Sequence, residues 1–116
     1  AEVYGINAYE LNLSRCKNIT NISMLGKVHH LNLSWCNKIS DVSMLGKVHK
    51  LILQGCSKIT DVSMLGGVHY LDLSKCFYII DVSKLELTHY FHYEHSCGKD
   101  EFDLDMNDIL IYYRFK

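Results

Sequence analysis

The sequence predicts an α/β fold built as a right-handed solenoid of short repeats, and three observations support this. The 116 residues include four successive copies of a 20-residue unit, at 11–30, 31–50, 51–70 and 71–90, with no insertion or deletion between them. Each copy begins with apolar residues spaced two apart, and its later apolar residues recur at every third position. No proline interrupts the pattern. A fixed short period of this kind is the sequence signature of stacked repeat architectures.

The first residues of each unit predict a short strand. In the second unit, Leu31 and Leu33 share one side of an extended chain, so we expect a strand over Leu31–Ser34 with both Leu side chains inward. A single unit presents one apolar edge that it cannot bury alone. Stacked units would pair their strands in parallel at roughly 4.8 Å per unit. The connections between such strands are expected to be right-handed.

The second half of each unit predicts a series of tight turns. After Cys36 every third residue is apolar, a spacing that fits neither a long strand nor a long helix. We therefore expect turns and 3₁₀ segments on the convex side. Asp41, with its equivalents at 61 and 81, can cap such a turn by accepting a hydrogen bond from a backbone N–H two or three residues later. Gly46 and Gly66 stand where the turn ends, and a left-handed conformation is expected there.

The repeats define the domain organisation. We expect a single domain over 1–116, because a chain of this length buries one modest core. It would comprise a partial N-terminal unit at 1–10, four repeats at 11–90, and a degenerate fifth strand with a C-terminal cap at 91–116. A solenoid needs such caps because its end units have no neighbour to cover their apolar faces.

The unit pattern V-x-x-L-x-L-x-x-C-x-x-I resembles the leucine-rich repeat family, in register over residues 8–90. "LNLSWCNKISD" and "LILQGCSKITD" are similar to the cysteine-containing repeats of F-box-type substrate receptors. "ISDVSMLGKV" is similar to the short repeats of bacterial internalins. The resemblance implies a concave parallel sheet that binds another protein. The 20-residue period is shorter than in either subclass, so 3₁₀ or extended turns are expected in place of a full convex helix.

Four of the five cysteines recur once per unit, at Cys16, Cys36, Cys56 and Cys76. Zinc-binding thiolates converge on one point in C-x-x-C pairs, whereas these residues would form a line. Free Cys is among the most buried residue types, so we expect a column of buried thiols that bond to neighbouring units. Unpaired thiols favour a reducing compartment, which predicts an intracellular, cytoplasmic location.

Histidine also recurs once per unit, at His29, His49, His69 and His89. Neighbouring members could share a metal ion, but no carboxylate recurs beside them to orient the rings, and duplication alone explains the repetition. A second candidate metal site comprises His89, His92, His95 and Cys97, whose spacing matches no standard zinc pattern. We therefore expect no metal ion and no other cofactor.

The sequence contains no catalytic motif. There is no G-x-S-x-G, Walker loop or H-E-x-x-H, and Ser, His and Asp recur only as parts of the repeat. The net charge of −1 gives no indication of a nucleic-acid or acidic-membrane partner, and no apolar run approaches the length of a membrane span. An enzyme is therefore not expected.

The outward positions of the strands differ between units while the inward ones repeat, so the outward positions are the candidate binding surface. Trp35, the only tryptophan, is predicted to be exposed there, and aromatic residues among mixed polar neighbours are typical of binding hot spots. The predicted partner-binding residues are His30, Asn32, Trp35, Lys50, Ile52, Gln54, Tyr70, Asp72, Lys75, Tyr90 and His92.

Three functional hypotheses follow. The first is a non-enzymatic protein-recognition module that binds its partner on the concave sheet, with self-association through open solenoid ends as a further possibility. The second is a substrate-receptor fragment of a ubiquitin ligase, which the cysteine-containing subclass implies. The third is a metal-dependent module that uses His89, His92, His95 and Cys97.

Overall fold

Five short parallel strands form one sheet, in the order in which they occur along the chain. The computed structural model describes residues 8–79, 81–88 and 90–92, and for 86, 87 and 90–92 it describes the backbone alone. The strands are β1 (Glu10–Asn12), β2 (His30–Asn32), β3 (Lys50–Ile52), β4 (Tyr70–Asp72) and β5 (Tyr90–His92). The 3₁₀ segments between them are Ser23–Leu25, Ser43–Leu45, Ser63–Leu65 and Ser83–Leu87. The described residues contain no α-helix, so this part of the chain consists of parallel strands joined by 3₁₀ turns.

Each strand pairs with the next at an offset of 20 residues, as the repeat predicts. Leu51 in β3 lies opposite Leu31 in β2 and Leu71 in β4. The same register continues into β5, where Phe91 pairs with Leu71. A fifth strand is present at Tyr90–His92, whereas 93–116, most of the segment predicted as a degenerate fifth strand and C-terminal cap, lies outside the described residues.

The strands are placed differently from the prediction. Strand β2 covers His30–Asn32, not Leu31–Ser34. Hydrogen bonds between units nonetheless continue past its end, since the Leu33 N–H donates to Ile52 O at 2.8 Å and the Trp35 N–H donates to Gln54 O at 2.7 Å. The chain turns away there because Trp35 has a φ of 61°, in the left-handed region.

The apolar residues that repeat in every unit form the core. In the third unit none has more than 1% of its surface exposed, and these residues are Leu51, Leu53, Cys56, Ile59, Val62, Leu65 and Val68. The first unit is less well covered, because no described unit lies on its N-terminal side. There Leu11, Leu13 and Ile19 are only partly buried.

The hydrogen bonds predicted for the Asp residues at the start of the 3₁₀ turns are confirmed, although each Asp stands one residue before the N-cap position. Asp41, Asp61 and Asp81 each accept a hydrogen bond at 2.9–3.0 Å from the backbone N–H of the Ser two residues later. Asn21 does the same in the first unit. These backbone N–H donors hold the pKa of each Asp below its usual value, because they stabilise the charged form.

The predicted left-handed conformation of Gly46 and Gly66 is wrong. Their φ angles are −64° and −61°, which any residue adopts. Glycine is required there for space, because a Cβ at Gly46 would lie 2.6 Å from the carbonyl oxygen of Met64 in the next unit. A Cβ at Gly66 would lie equally close to the carbonyl oxygen of Lys84. The glycines therefore let successive turns pack tightly.

Candidate binding surface

The first row of outward side chains comes from the start of each strand. Glu10, His30, Lys50 and Tyr70 lie side by side in register, and Tyr90 follows them in the backbone pairing. The carboxylate of Glu10 lies 3.9 Å from His30 Nδ1. The ammonium of Lys50 lies 5.1 Å from the centre of the Tyr70 ring, a distance typical of a cation–π contact. The row thus presents an acid, an imidazole, a cation and an aromatic ring in that order.

The second row comes from the end of each strand and comprises Asn12, Asn32, Ile52 and Asp72. Its polar side chains are held in place by the chain that follows. Asn32 Oδ1 accepts hydrogen bonds from the Ser34 N–H at 2.9 Å and the Ser34 Oγ–H at 2.6 Å. Asp72 Oδ1 accepts the same two hydrogen bonds from Ser74.

An open groove of about 490 Å³ runs between these two rows. The outward side chains that line it are Glu10, Asn12, His30, Asn32, Lys50, Ile52 and Tyr70. We call these residues, together with Asp72, the sheet face. The structure therefore brings together six of the predicted binding residues: His30, Asn32, Lys50, Ile52, Tyr70 and Asp72. The side chains of Tyr90 and His92 lie outside the described residues.

The other predicted binding residues do not belong to the sheet face. Gln54 is half-buried, and its equivalents Ser34 and Ser74 are only 7% and 6% exposed. Trp35 and Lys75 stand at the corner where the chain leaves the sheet, each with a φ of 61°. The sequence prediction missed this corner because it extended the strand too far.

Trp35 is half-buried, so the prediction that it is exposed is wrong. Its ring lies over Gly55, the equivalent residue of the next unit, and a Cβ at Gly55 would overlap that ring. Gly55 itself is buried and has a φ of 74°. One face of the indole is thus occupied by packing between units.

The repeated histidines form a stack of rings beside the start of the strands. The ring centres of His29 and His49 lie 4.7 Å apart with an angle of 9° between their planes, and those of His49 and His69 lie 4.5 Å apart at 8°. Tyr9 extends the stack, with its ring centre 4.6 Å from that of His29. The 20-residue period predicted that these rings would be neighbours, but their parallel packing is visible only in the structure.

The stack is not arranged as a metal site. The nitrogen lone pairs of an imidazole lie in the plane of its ring, so parallel rings direct them side by side and not at one point. Within residues 8–79, 81–88 and 90–92, no group of three or more His, Cys, Asp or Glu residues could hold a metal ion. The candidate cluster of His89, His92, His95 and Cys97 lies outside the described side chains.

The predicted column of buried thiols is confirmed for three of its four members. The thiols of Cys36, Cys56 and Cys76 donate to the carbonyl oxygens of Leu13, Leu33 and Leu53 in the preceding unit, at 3.2, 3.1 and 2.9 Å. Burial raises the pKa of Cys56 and of Cys76 to about 12, and it also raises that of Cys36. Cys16 differs, because it is exposed.

These environments predict different thiol reactivities. In a Cys97→Ser variant at pH 8, we expect Cys16 to react with iodoacetamide at the rate of an exposed thiol. Cys56 and Cys76 should remain unmodified until the chain unfolds, because at a pKa of about 12 only about one thiol in ten thousand is ionised at that pH. Mass spectrometry of the digested protein with and without urea measures this, and equal labelling of all sites in the folded chain would contradict the buried column.

No family model matches the chain, and no curated protein or solved structure matches it either. Within the described part of the chain, no helix has the length and apolar character needed to cross a membrane.

Proposed function

We propose that this chain is a leucine-rich-repeat solenoid and acts as a non-enzymatic protein-recognition module that binds its partner on the sheet face. One observation carries the proposal: a groove of about 490 Å³ is lined by side chains that differ from unit to unit, while the core residues beneath it repeat. Surface variation on a constant scaffold is what recognition of one particular partner requires.

The chemistry of the groove supports a protein partner. Ile52 and Tyr70 supply apolar and aromatic contact area, and Tyr is enriched at interface hot spots. The amide of Asn32 and the ammonium of Lys50 supply donors beside them, and Glu10 supplies an acceptor. The side chains of Asn32 and Asp72 are fixed by hydrogen bonds to the following Ser, which lowers the entropy lost on binding.

A paired-variant capture experiment tests the proposal. The immobilised chain and a Lys50→Ala/Tyr70→Ala variant are exposed to an extract of the native source, and the captured proteins are compared by quantitative mass spectrometry. Lys47→Ala/Met64→Ala is the matched control, because it also removes one Lys and one large apolar side chain, both exposed and both off the groove. We expect a protein that the control retains and the sheet-face variant loses.

The candidate from that comparison is then purified and titrated. We expect its dissociation constant to rise about tenfold or more in the sheet-face variant, which corresponds to the loss of one hot-spot contact. Both variants should keep the melting temperature of the parent chain, because they change surface residues. If every captured protein binds the two variants equally, the sheet face is not the recognition surface.

A further inference from the structure

The loops that follow the strands are uniformly basic. The segments 13–20, 33–40, 53–60 and 73–80 contain no Asp or Glu and five cations: Arg15, Lys17, Lys38, Lys58 and Lys75. All five are exposed. In the part of the chain that the structure describes, none of them forms an ion pair with a carboxylate. Within residues 8–79, 81–88 and 90–92, no carboxylate therefore neutralises their charge.

The backbone of these loops repeats from unit to unit. In every unit the Cys N–H donates to the carbonyl of the Leu three residues earlier, at 3.1–3.2 Å. The residues at the corner form hydrogen bonds to the next unit. The Arg15 N–H donates to Ser34 O at 2.7 Å, and the Gly55 N–H donates to Ser74 O at 2.9 Å. Equivalent side chains such as those of Lys38 and Lys58 therefore start about 4.8 Å apart, the spacing of neighbouring strands.

Aromatic side chains lie in the same loops as these cations. Trp35 occupies the corner between Arg15 and Gly55, and it is held by packing on Gly55. Tyr78, which is 62% exposed, occupies the position equivalent to Lys58 in the last described loop. We call the five cations with Trp35 and Tyr78 the strand-end edge. It combines positive charge, which no carboxylate of the described residues pairs with, and partly exposed aromatic surface.

The acidic residues of the repeats are placed elsewhere. Asp41, Asp61 and Asp81 belong to the following turn, where each accepts a hydrogen bond from the first backbone N–H of a 3₁₀ segment. The carboxylate of Asp72, at the end of β4, accepts two hydrogen bonds from Ser74 through one oxygen. These carboxylates thus come before or after the basic loops in the chain, and each is engaged by a backbone N–H.

We propose that the strand-end edge binds an acidic, extended segment of a partner protein, laid across the units. From Arg15 to Lys75 the edge spans three strand spacings, about 14 Å, which an extended segment of about four residues covers. Its carboxylates would meet the Lys and Arg side chains, and an apolar residue would meet the part of the half-buried Trp35 side chain that remains exposed. A protein segment fits better than a nucleic acid, because the chain as a whole carries a charge of −1 and nucleic-acid-binding domains are generally basic. The strand-end edge shares no residue with the sheet face. An acidic segment can therefore bind to the edge whether or not a partner occupies the groove.

The single tryptophan reports directly on this edge. Deca-glutamate, which has no tryptophan, is titrated into the full chain at low salt while the fluorescence of Trp35 is followed. We expect a saturable change that weakens as salt is added, because exposed charge pairs are screened. The triple variant Lys38→Gln/Lys58→Gln/Lys75→Gln should bind about tenfold more weakly, as the loss of three exposed ion pairs implies.

Two controls keep the proposal falsifiable. Lys27→Gln/Lys47→Gln/Lys84→Gln removes the same charge from exposed positions outside the edge and should leave binding unchanged. Lys50→Ala/Tyr70→Ala should also leave it unchanged, which separates this proposal from that of the sheet face. A lack of saturable binding, or equal weakening by both triple variants, overturns the proposal. Tighter binding of oligo(dT) with the same charge would also overturn it, because the occupant would then be a nucleic acid.

Discussion

Replacing Leu51 with Ala is expected to lower the free energy of unfolding by about 2–5 kcal/mol. Leu51 has no exposed surface and lies between Leu31 and Leu71 in the sheet. The truncation removes contacts with two neighbouring units and leaves a cavity between them. Domains of this size are stable by only about 5–15 kcal/mol, so the loss is a large fraction of the total. Urea unfolding followed by circular dichroism measures it.

Leu11→Ala is the matched control for this prediction. Leu11 stands at the same position of the repeat, but it is only partly buried because the described structure places a unit on one side of it alone. We expect a clearly smaller loss of stability than for Leu51→Ala. Equal losses would contradict the difference in burial between the first unit and the third.

Gly46→Ala is expected to lower the free energy of unfolding by about 1–3 kcal/mol, the usual cost of overpacking. The added methyl would lie 2.6 Å from the carbonyl oxygen of Met64, a backbone atom that cannot move without shifting the next turn. The effect should appear in the same urea titration. It does not arise from strain at Gly46 itself, because its φ of −64° suits any residue.

Gly67→Lys is the control. It also replaces a glycine in a turn, so it shows whether the loss at Gly46 comes from the lack of room for a side chain or from replacing a glycine as such. The equivalent residues of the two preceding units are Lys27 and Lys47, and all three positions are exposed. A Cβ at Gly67 would lie 3.1 Å from the carbonyl oxygen of Gly46, a milder contact than the 2.6 Å at Gly46, so we expect a clearly smaller loss of stability than for Gly46→Ala. If Gly46→Ala proves no more harmful, successive turns do not pack as closely as the structure shows.

The sequence predicted the candidate site in part. The rows that start with Glu10 and Asn12 follow directly from the period, and the structure places them in register. The sequence did not show where the face ends. The positive φ of Trp35 and Lys75 turns these residues onto the strand-end edge. The sequence gives no signal of this conformation, because Gly55 is the only residue at this repeat position whose type favours a positive φ.

The sequence by itself determined the parallel order, the 20-residue register and the core. The reason is that the inward apolar residues recur at the same positions of every unit, so stacking the units in register buries all of them in the same way. The tertiary structure alone decided the stacking of the His29, His49 and His69 rings, the packing of Trp35 on Gly55, and the need for glycine at 46. These features depend on atoms of the adjacent unit, 20 residues away in the chain. A repeat pattern states which residues become neighbours, but the direction of each side chain is set only when two units pack against each other.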